Sequence, residues 1–264
     1  MKNDGKMPLI TSNCPSWVKF CEIYYPELLE NISTIKSPPQ MFGALCKNHY
    51  AEKTGIDPKD IFVVSITPCT AEKVERQRPE MVTQGYPNVD VSLTTRELAA
   101  MIRRACVSNY TSLKVWRELP DEACDPFPDL AFGTDHTFSN SGGLMEATLG
   151  TAYKAVTGKE LPSLHFTTVD GNEVIQEAEF DLNGSQIKVA AVTGLANAAQ
   201  LIDMVKFGEK DYAFIEVMAC PGGCLNGGGQ PHQPGPMHNF TDLTAARARA
   251  LYPEAAVIRN CQRI

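Results

Sequence analysis

The sequence predicts an α/β fold of twisted, mostly parallel sheet flanked by helices, and three observations predict it. Apolar runs of strand length, at 61–66, 89–93, 186–192 and 212–219, alternate with amphipathic stretches of helix length over most of the chain. Asn183-Gly184 lies between the runs 177–182 and 186–192 and marks one antiparallel hairpin. Two of the runs lead into a cysteine, Cys69 and Cys220, beyond the carboxyl ends of strands, where α/β folds bind ligands.

Bulk composition narrows the function classes. The chain has 264 residues, 43% hydrophobic and 21% charged, enough to bury a real core as one sizeable domain or two small lobes. A net charge of −7 argues against a dedicated nucleic-acid binder. No apolar run reaches membrane-spanning length, and the first residues lack the apolar core of a signal peptide, so a cytoplasmic protein with no membrane span is expected. Nine cysteines, an odd number, then point to a reducing compartment where thiols serve metals or chemistry more often than disulfides.

In chain order, Pro15 suits the first turn of a helix along which Trp17, Phe20, Cys21, Tyr24 and Leu28 recur at helical spacing. Cys14 therefore stands at a helix N-terminus, where backbone amides and the macrodipole favour a thiolate. A second helical stretch, 41–53, closes at Gly55 and Pro58. The strand at 61–66 runs straight into Thr67-Pro68-Cys69, and after the strand at 89–93 the sequence Thr94-Thr-Arg-Glu97 is a capping box opening a helix. The proline- and acid-rich region 120–130 is the expected boundary between two lobes. Helices follow at 144–156, stopped by Gly158, at 195–207, stopped by Gly208, and at 243–251.

The strand at 212–219 ends in Cys220-Pro-Gly-Gly-Cys224-Leu-Asn-Gly-Gly-Gly-Gln-Pro231, a loop that cannot pack as an ordinary core element. Its glycines remove Cβ atoms where the backbone must turn sharply or approach something closely. Cys14, Cys69, Cys220 and Cys224 all occupy such turn-like positions, and four thiolates match the requirement of a four-iron cubane. Zinc is the competing metal, although structural zinc favours pairs of close cysteines and only one such pair occurs. Cys21, Cys46 and Cys106 fall in helical patterns and read as packed core, while Cys124 and Cys261 are isolated.

Thr11-Ser-Asn-Cys14-Pro-Ser-Trp17, Thr67-Pro-Cys69-Thr-Ala-Glu-Lys73 and the stretch Glu216 to Pro231 resemble, in order, the three signature motifs of FeFe-hydrogenases. Tyr24-Tyr-Pro-Glu27, Thr94-Thr-Arg-Glu-Leu98 and Gly142-Gly-Leu-Met-Glu146 are similar to the same catalytic domain between those motifs. The resemblance implies two α/β lobes with the metal cluster between them. It implies that Cys14, Cys69, Cys220 and Cys224 hold a 4Fe-4S cubane and that Cys224 bridges to a diiron subsite with carbonyl, cyanide and dithiolate ligands, together the H-cluster. Met218, Phe138, Thr67 and Pro68 match positions around that subsite, and Ser33 matches a proton-path serine. The implied activity is reversible reduction of protons to dihydrogen. Ferredoxin or a similar carrier would bring electrons, and maturation proteins would install the diiron subsite.

The sequence departs from the family pattern beside the diiron position. Asn13 stands where a cysteine relays protons, and a carboxamide has no proton to exchange near neutral pH. Thr67 replaces a methionine, Pro39 a glutamine, and Glu72 the lysine that donates to a cyanide ligand, with Lys73 one place later. Glu72 is thus read either as a proton donor that partly replaces the thiol relay or as a solvated helix residue, Lys73 then reaching the cyanide. The resemblance also implies a longer leading segment, so the chain is a minimal form or has a partner subunit. Lys19, Lys36, Lys47 and Lys53 are candidates for a basic patch facing an acidic carrier. The alternatives to an enzyme are a dihydrogen sensor of the same fold and an iron–sulfur assembly protein that binds only cubanes.

Overall fold

A computed structural model describes residues 6–12, 14–105, 142–169, 172–232 and 242–251 of the chain. It divides into two units, one of Met1–Ser37, Asp135–Gly227 and Gln233–Ile264 and one of Pro38–Thr134 and Gly228–His232. The expected boundary at 120–130 lies outside the described residues.

The first unit is built on a five-stranded sheet. Its strands are β1 (Leu9–Thr11), β6 (Thr167–Val169), β7 (Asn172–Leu182), β8 (Ser185–Thr193) and β9 (Phe214–Met218), in the order β1-β9-β8-β7-β6. The pairs β1/β9 and β8/β9 are parallel, whereas β7/β8 and β6/β7 are antiparallel. The hairpin turns at Asn183 (φ 53°) and Gly184 (φ 89°), two successive left-handed residues of the kind a two-residue loop demands. The short strand β6 adds an antiparallel pair that the sequence reading did not contain.

Side-chain alternation explains how this sheet is covered on both faces. Val189 and Ala191 of β8, with Phe214 of β9, pack under Met145 and Leu149 of a helix at Gly143–Thr157. Ala190, Val192, Ile215 and Val217 face the other way. They pack with Trp17 and Cys21 of α1 (Pro15–Tyr24) and with Ala198, Leu201 and Ile202 of a helix at Leu195–Lys206. All five residues of β9 are buried, which is why, but for Glu216, it reads as a continuous apolar run rather than an alternating one.

In the second unit, β2 (Val64–Thr67) and β5 (Val91–Thr94) pair in parallel, and β3 (Val82–Thr83) pairs antiparallel with β4 (Tyr86–Pro87). Helices α2 (Pro38–Leu45) and α3 (Ala51–Thr54) are joined by a π-helical stretch at Cys46–Tyr50 and end at the left-handed Gly55. β2 starts later than the apolar run because the preceding backbone is already engaged. The Val63 N–H donates to Asp90 Oδ2 at 2.7 Å, and the Ile61 carbonyl accepts from Lys47 Nζ. Lys47 is only 2% exposed and is paired with Asp90 at 3.1 Å, so it is not part of a basic docking patch as expected. A lysine on a helix is ordinarily a solvated charge; here carbonyls and a carboxylate surround it.

The capping box forms as its sequence predicts. The Glu97 N–H donates to Thr94 Oγ1 at 3.2 Å, the Thr94 N–H donates to Glu97 Oε2 at 2.8 Å, and α5 (Thr95–Ala105) follows. Thr94→Ala removes the buried acceptor and is expected to cost about 1 kcal/mol, read as a lower denaturant midpoint. The remaining helices are α4 (Glu72–Glu75), α6 (Gly143–Thr157), α7 (Leu195–Lys206) and α8 (Leu243–Leu251). Among the described residues no helix is long and apolar enough to cross a membrane.

Candidate metal centre

Three of the four candidate ligands, Cys14, Cys220 and Cys224, belong to the first unit, where Cys14 meets Cys224, and the path to that meeting begins at Ser12. Its Oγ donates to the Val217 carbonyl at 2.7 Å and accepts from the Cys14 N–H at 2.9 Å. This bond ties the end of β1 to β9 and leaves Cys14 as the residue before Pro15, at the N-cap of α1. Cys14 is 7% exposed, and its Sγ accepts from the Ala219 N–H at 3.3 Å. The Cys224 thiol beside it lowers the Cys14 pKa most, and the Ala219 backbone, Ser12 and the Cys220 backbone add to this. Against the opposing effect of burial they bring it down to about 7.

The loop between the two cysteines depends on glycine. Gly222 and Gly223 have φ of 74° and 78°, a left-handed pair that L side chains rarely adopt, and they fold Cys224 back toward Cys220. The Gly223 N–H donates to the Cys220 carbonyl at 3.0 Å, and Cys224 opens a 3-10 turn that ends at Asn226. Arg247 of α8 holds that turn from outside through the Leu225 carbonyl at 3.0 Å and Asn226 Oδ1 at 3.2 Å. None of the described cysteines is disulfide-bonded. Among the described residues no group of three or more His, Cys, Asp or Glu stands at metal-holding spacing. The Cys14 thiol instead lies against Cys224 and under the backbone N–H groups of Ala219 and Cys220, donors that favour a thiolate. A buried thiol with donors aimed at its sulfur suits a thiolate-ligated iron–sulfur cluster, which carries negative charge.

Met218 is 1% exposed and closes β9 against the α1/α7 core, its carbonyl accepting the Gly194 N–H at 2.8 Å. Ser33 is half-buried beside β1, its N–H on the Ile10 carbonyl at 2.7 Å and its Oγ accepting from the Ile35 N–H at 3.3 Å. Glu216 is a buried acid that sequence reasoning did not single out. It is 1% exposed within β9, and burial raises its pKa to about 7 although the Met145 and Gly142 N–H groups oppose this. The signal was present as one acid inside a run that otherwise reads as buried strand.

In the second unit, Cys69 follows β2 with Thr67 and Pro68 before it. The Cys69 N–H donates to Thr67 Oγ1 at 3.3 Å, and the Pro68 carbonyl accepts from the Gly229 N–H at 2.7 Å. Glu72 is buried rather than solvated, its Oε2 accepting from Thr67 Oγ1 at 2.8 Å and from Ser65 Oγ at 3.3 Å. Burial raises its pKa, and the two hydroxyl donors only partly offset this. A carboxyl raised on folding stabilises the protein while protonated and loses that contribution as pH rises through the folded value. Glu72→Gln is therefore expected to match the wild type in acid and to become the more stable protein as pH rises above 4.5. Denaturant midpoints over a pH series test this, and a difference that does not change with pH would refute it.

Lys73 is turned to other partners, with Nζ 2.8 Å from Glu97 Oε2 and 3.0 Å from the Ser92 carbonyl. That geometry commits its ammonium to the capping-box glutamate. Asn13 and Phe138 lie outside the described residues.

An α/β fold with a thiol pair under backbone N–H groups at the carboxyl end of a parallel strand is of the class that suits thiolate-ligated iron–sulfur proteins. Residues 1–228 match the family model described as iron only hydrogenase large subunit, C-terminal domain, and the chain belongs to that family. It is 45% identical over 249 residues to the periplasmic Fe hydrogenase large subunit of Nitratidesulfovibrio vulgaris, covering 94% of this chain and 57% of that one. It is 33% identical over 231 residues to the cytosolic Fe-S cluster assembly factor narfl of Danio rerio, covering 85% and 54%. Among solved structures it resembles the apo FeFe-hydrogenase of Chlamydomonas reinhardtii with a TM-score of 0.77 and 33% identity, over 93% of this chain and 66% of that one. The chain thus spans about half the length of the curated relatives it matches.

Proposed function

We propose that the chain is the catalytic domain of an iron hydrogenase that reduces protons reversibly to dihydrogen. Cys14, Cys220 and Cys224, with Cys69, would hold a 4Fe-4S cubane, and Cys224 would also bridge to the diiron subsite. When bound, that H-cluster supplies electron storage and an iron site for dihydrogen. The observation that carries the reading is the Cys14 thiol against Cys224 under the Ala219 N–H, at the end of β9.

The chain's own residues then have distinct tasks. Ser12 and Ala219 fix Cys14, and Met218 keeps the floor of the thiol cluster apolar and dry. Glu72 is a buried carboxyl of raised pKa that can hold a proton nearer neutral pH than a solvated glutamate can. It is the proposed partial substitute for a relay at Asn13, whose carboxamide holds none. Ferredoxin or a similar carrier delivers the electrons, and maturation proteins install the diiron subsite.

The similarity to the zebrafish assembly factor favours a second reading, in which the chain binds a cubane alone and serves iron–sulfur assembly. Infrared spectra of protein matured in a hydrogenase-producing host separate the two. Bands of metal-bound carbonyl and cyanide are expected; a cubane without them would sink the hydrogenase reading in favour of the second. With the bands present, the dihydrogen evolution rate separates an enzyme from a sensor.

A further inference from the structure

Glu216 is the one acid in β9, and its carboxylate is shared between two backbone donors. Oε1 accepts from the Gly142 N–H at 3.1 Å and Oε2 from the Met145 N–H at 2.7 Å. They are the N–H groups of the N-cap, Gly142, and of the third residue of α6, at an end whose glycine cap has no side chain to satisfy its donors. One N–H on each oxygen is the pattern of an ionised carboxylate, because a carboxylic acid would aim an O–H at one of the donors. Two residues beyond Met218 the same strand direction reaches Cys220, and the Ala219 N–H is on Cys14 Sγ. Cys14 and Glu216 are both buried, 7% and 1% exposed, so solvent screens a charge on one from the other only weakly.

We propose that Glu216 is a buried anion, fixed by the N-terminus of α6, that lowers the reduction potential of the cluster bound at Cys14. The inference rests on the cluster reading above. Reduction adds an electron to a cluster that is already anionic, and a fixed negative charge in a water-poor interior disfavours that step. The two N–H groups give the carboxylate its place; strand β9 sets its distance from the sulfur.

The test is a redox titration, followed by electron paramagnetic resonance, of the cubane reconstituted into the whole chain with iron and sulfide alone. It is run above the pH at which Glu216 ionises. Glu216→Gln keeps the shape and removes the charge. Its midpoint is expected to rise by about 59 mV, a tenfold change in the oxidised-to-reduced ratio for one electron. Glu216→Asp keeps the charge and is expected to stay close to the wild type. Glu216→Met, uncharged and of similar length, carries the test if the glutamine variant does not fold, with the same rise expected. Glu146→Gln removes an exposed charge from the first turn of the same helix and is expected to shift nothing, because solvent screens it. Cubanes with equal midpoints in wild type and Glu216→Gln overturn the proposal, as does a rise in Glu216→Asp or Glu146→Gln as large as that expected for glutamine. Failure of the wild type to form a cubane overturns the cluster reading instead.

Discussion

Alanine at Cys14 is expected to abolish iron–sulfur loading while leaving the chain folded. Its thiol is the most buried of the candidate ligands and accepts the Ala219 N–H. Its removal leaves three thiolates where a cubane needs four. Iron and acid-labile sulfide per chain, with the visible charge-transfer absorption, should fall to the background of unreconstituted protein. Cys21→Ala is the matched control, seven residues along the same helix. Cys21 is 0% exposed in the α1/α7 core, its Sγ is on the Tyr25 carbonyl at 3.4 Å, and burial pushes its pKa up to about 11. It is a packing residue, so alanine there should cost about 1 kcal/mol or more of stability and leave loading intact. Full loading in Cys14→Ala would remove Cys14 from the ligand set.

What could be read from the sequence was local. The capping box at Thr94–Glu97, the Asn183-Gly184 turn and the N-cap position of Cys14 depend on neighbours within a few residues, so the residue types alone carry the geometry. What escaped depends on partners far along the chain. Glu216 reads as an unexplained acid in a strand until α6 brings Gly142 and Met145 to it. Lys47 reads as a surface charge until Pro58, Ile61 and Asp90 close round it. Glu72 is intermediate: its four-residue helix looks solvated, and only the hydroxyls of Ser65 and Thr67 on β2 show that the carboxyl turns inward. Its burial weakens the solvated reading and keeps the proton-donor reading alive, whereas the Glu97 contact draws Lys73 into a structural pair. Charged side chains therefore account for most of the difference, because their positions are set by tertiary partners rather than by period or propensity.

Gly229→Ala is expected to produce the largest loss of stability among the loop glycines of the second unit. A Cβ there would stand 2.7 Å from both Cβ and Cγ2 of Thr94 and 2.8 Å from the Pro68 carbonyl oxygen. Thr94 cannot swing away, because its hydroxyl and backbone belong to the α5 capping box. Pro68 cannot move without breaking the Gly229 N–H bond of 2.7 Å, and the Gly229 carbonyl in turn accepts from the Arg96 N–H at 3.0 Å and Thr95 Oγ1 at 2.9 Å. Overpacking against fixed backbone of this kind costs about 1–3 kcal/mol. Gly228→Ala separates this cause from a general intolerance of side chains in the loop. Its Cβ would meet only Thr70, at 3.6 Å from Oγ1, an ordinary contact, and the change should fall within about 0.5 kcal/mol of wild type. Denaturant unfolding of both variants decides the matter: equal midpoints would mean that the loop yields at Gly229. Because Pro68 immediately precedes Cys69, a backbone shift there also displaces the one candidate ligand of this unit. Iron content should then fall in Gly229→Ala and hold in Gly228→Ala.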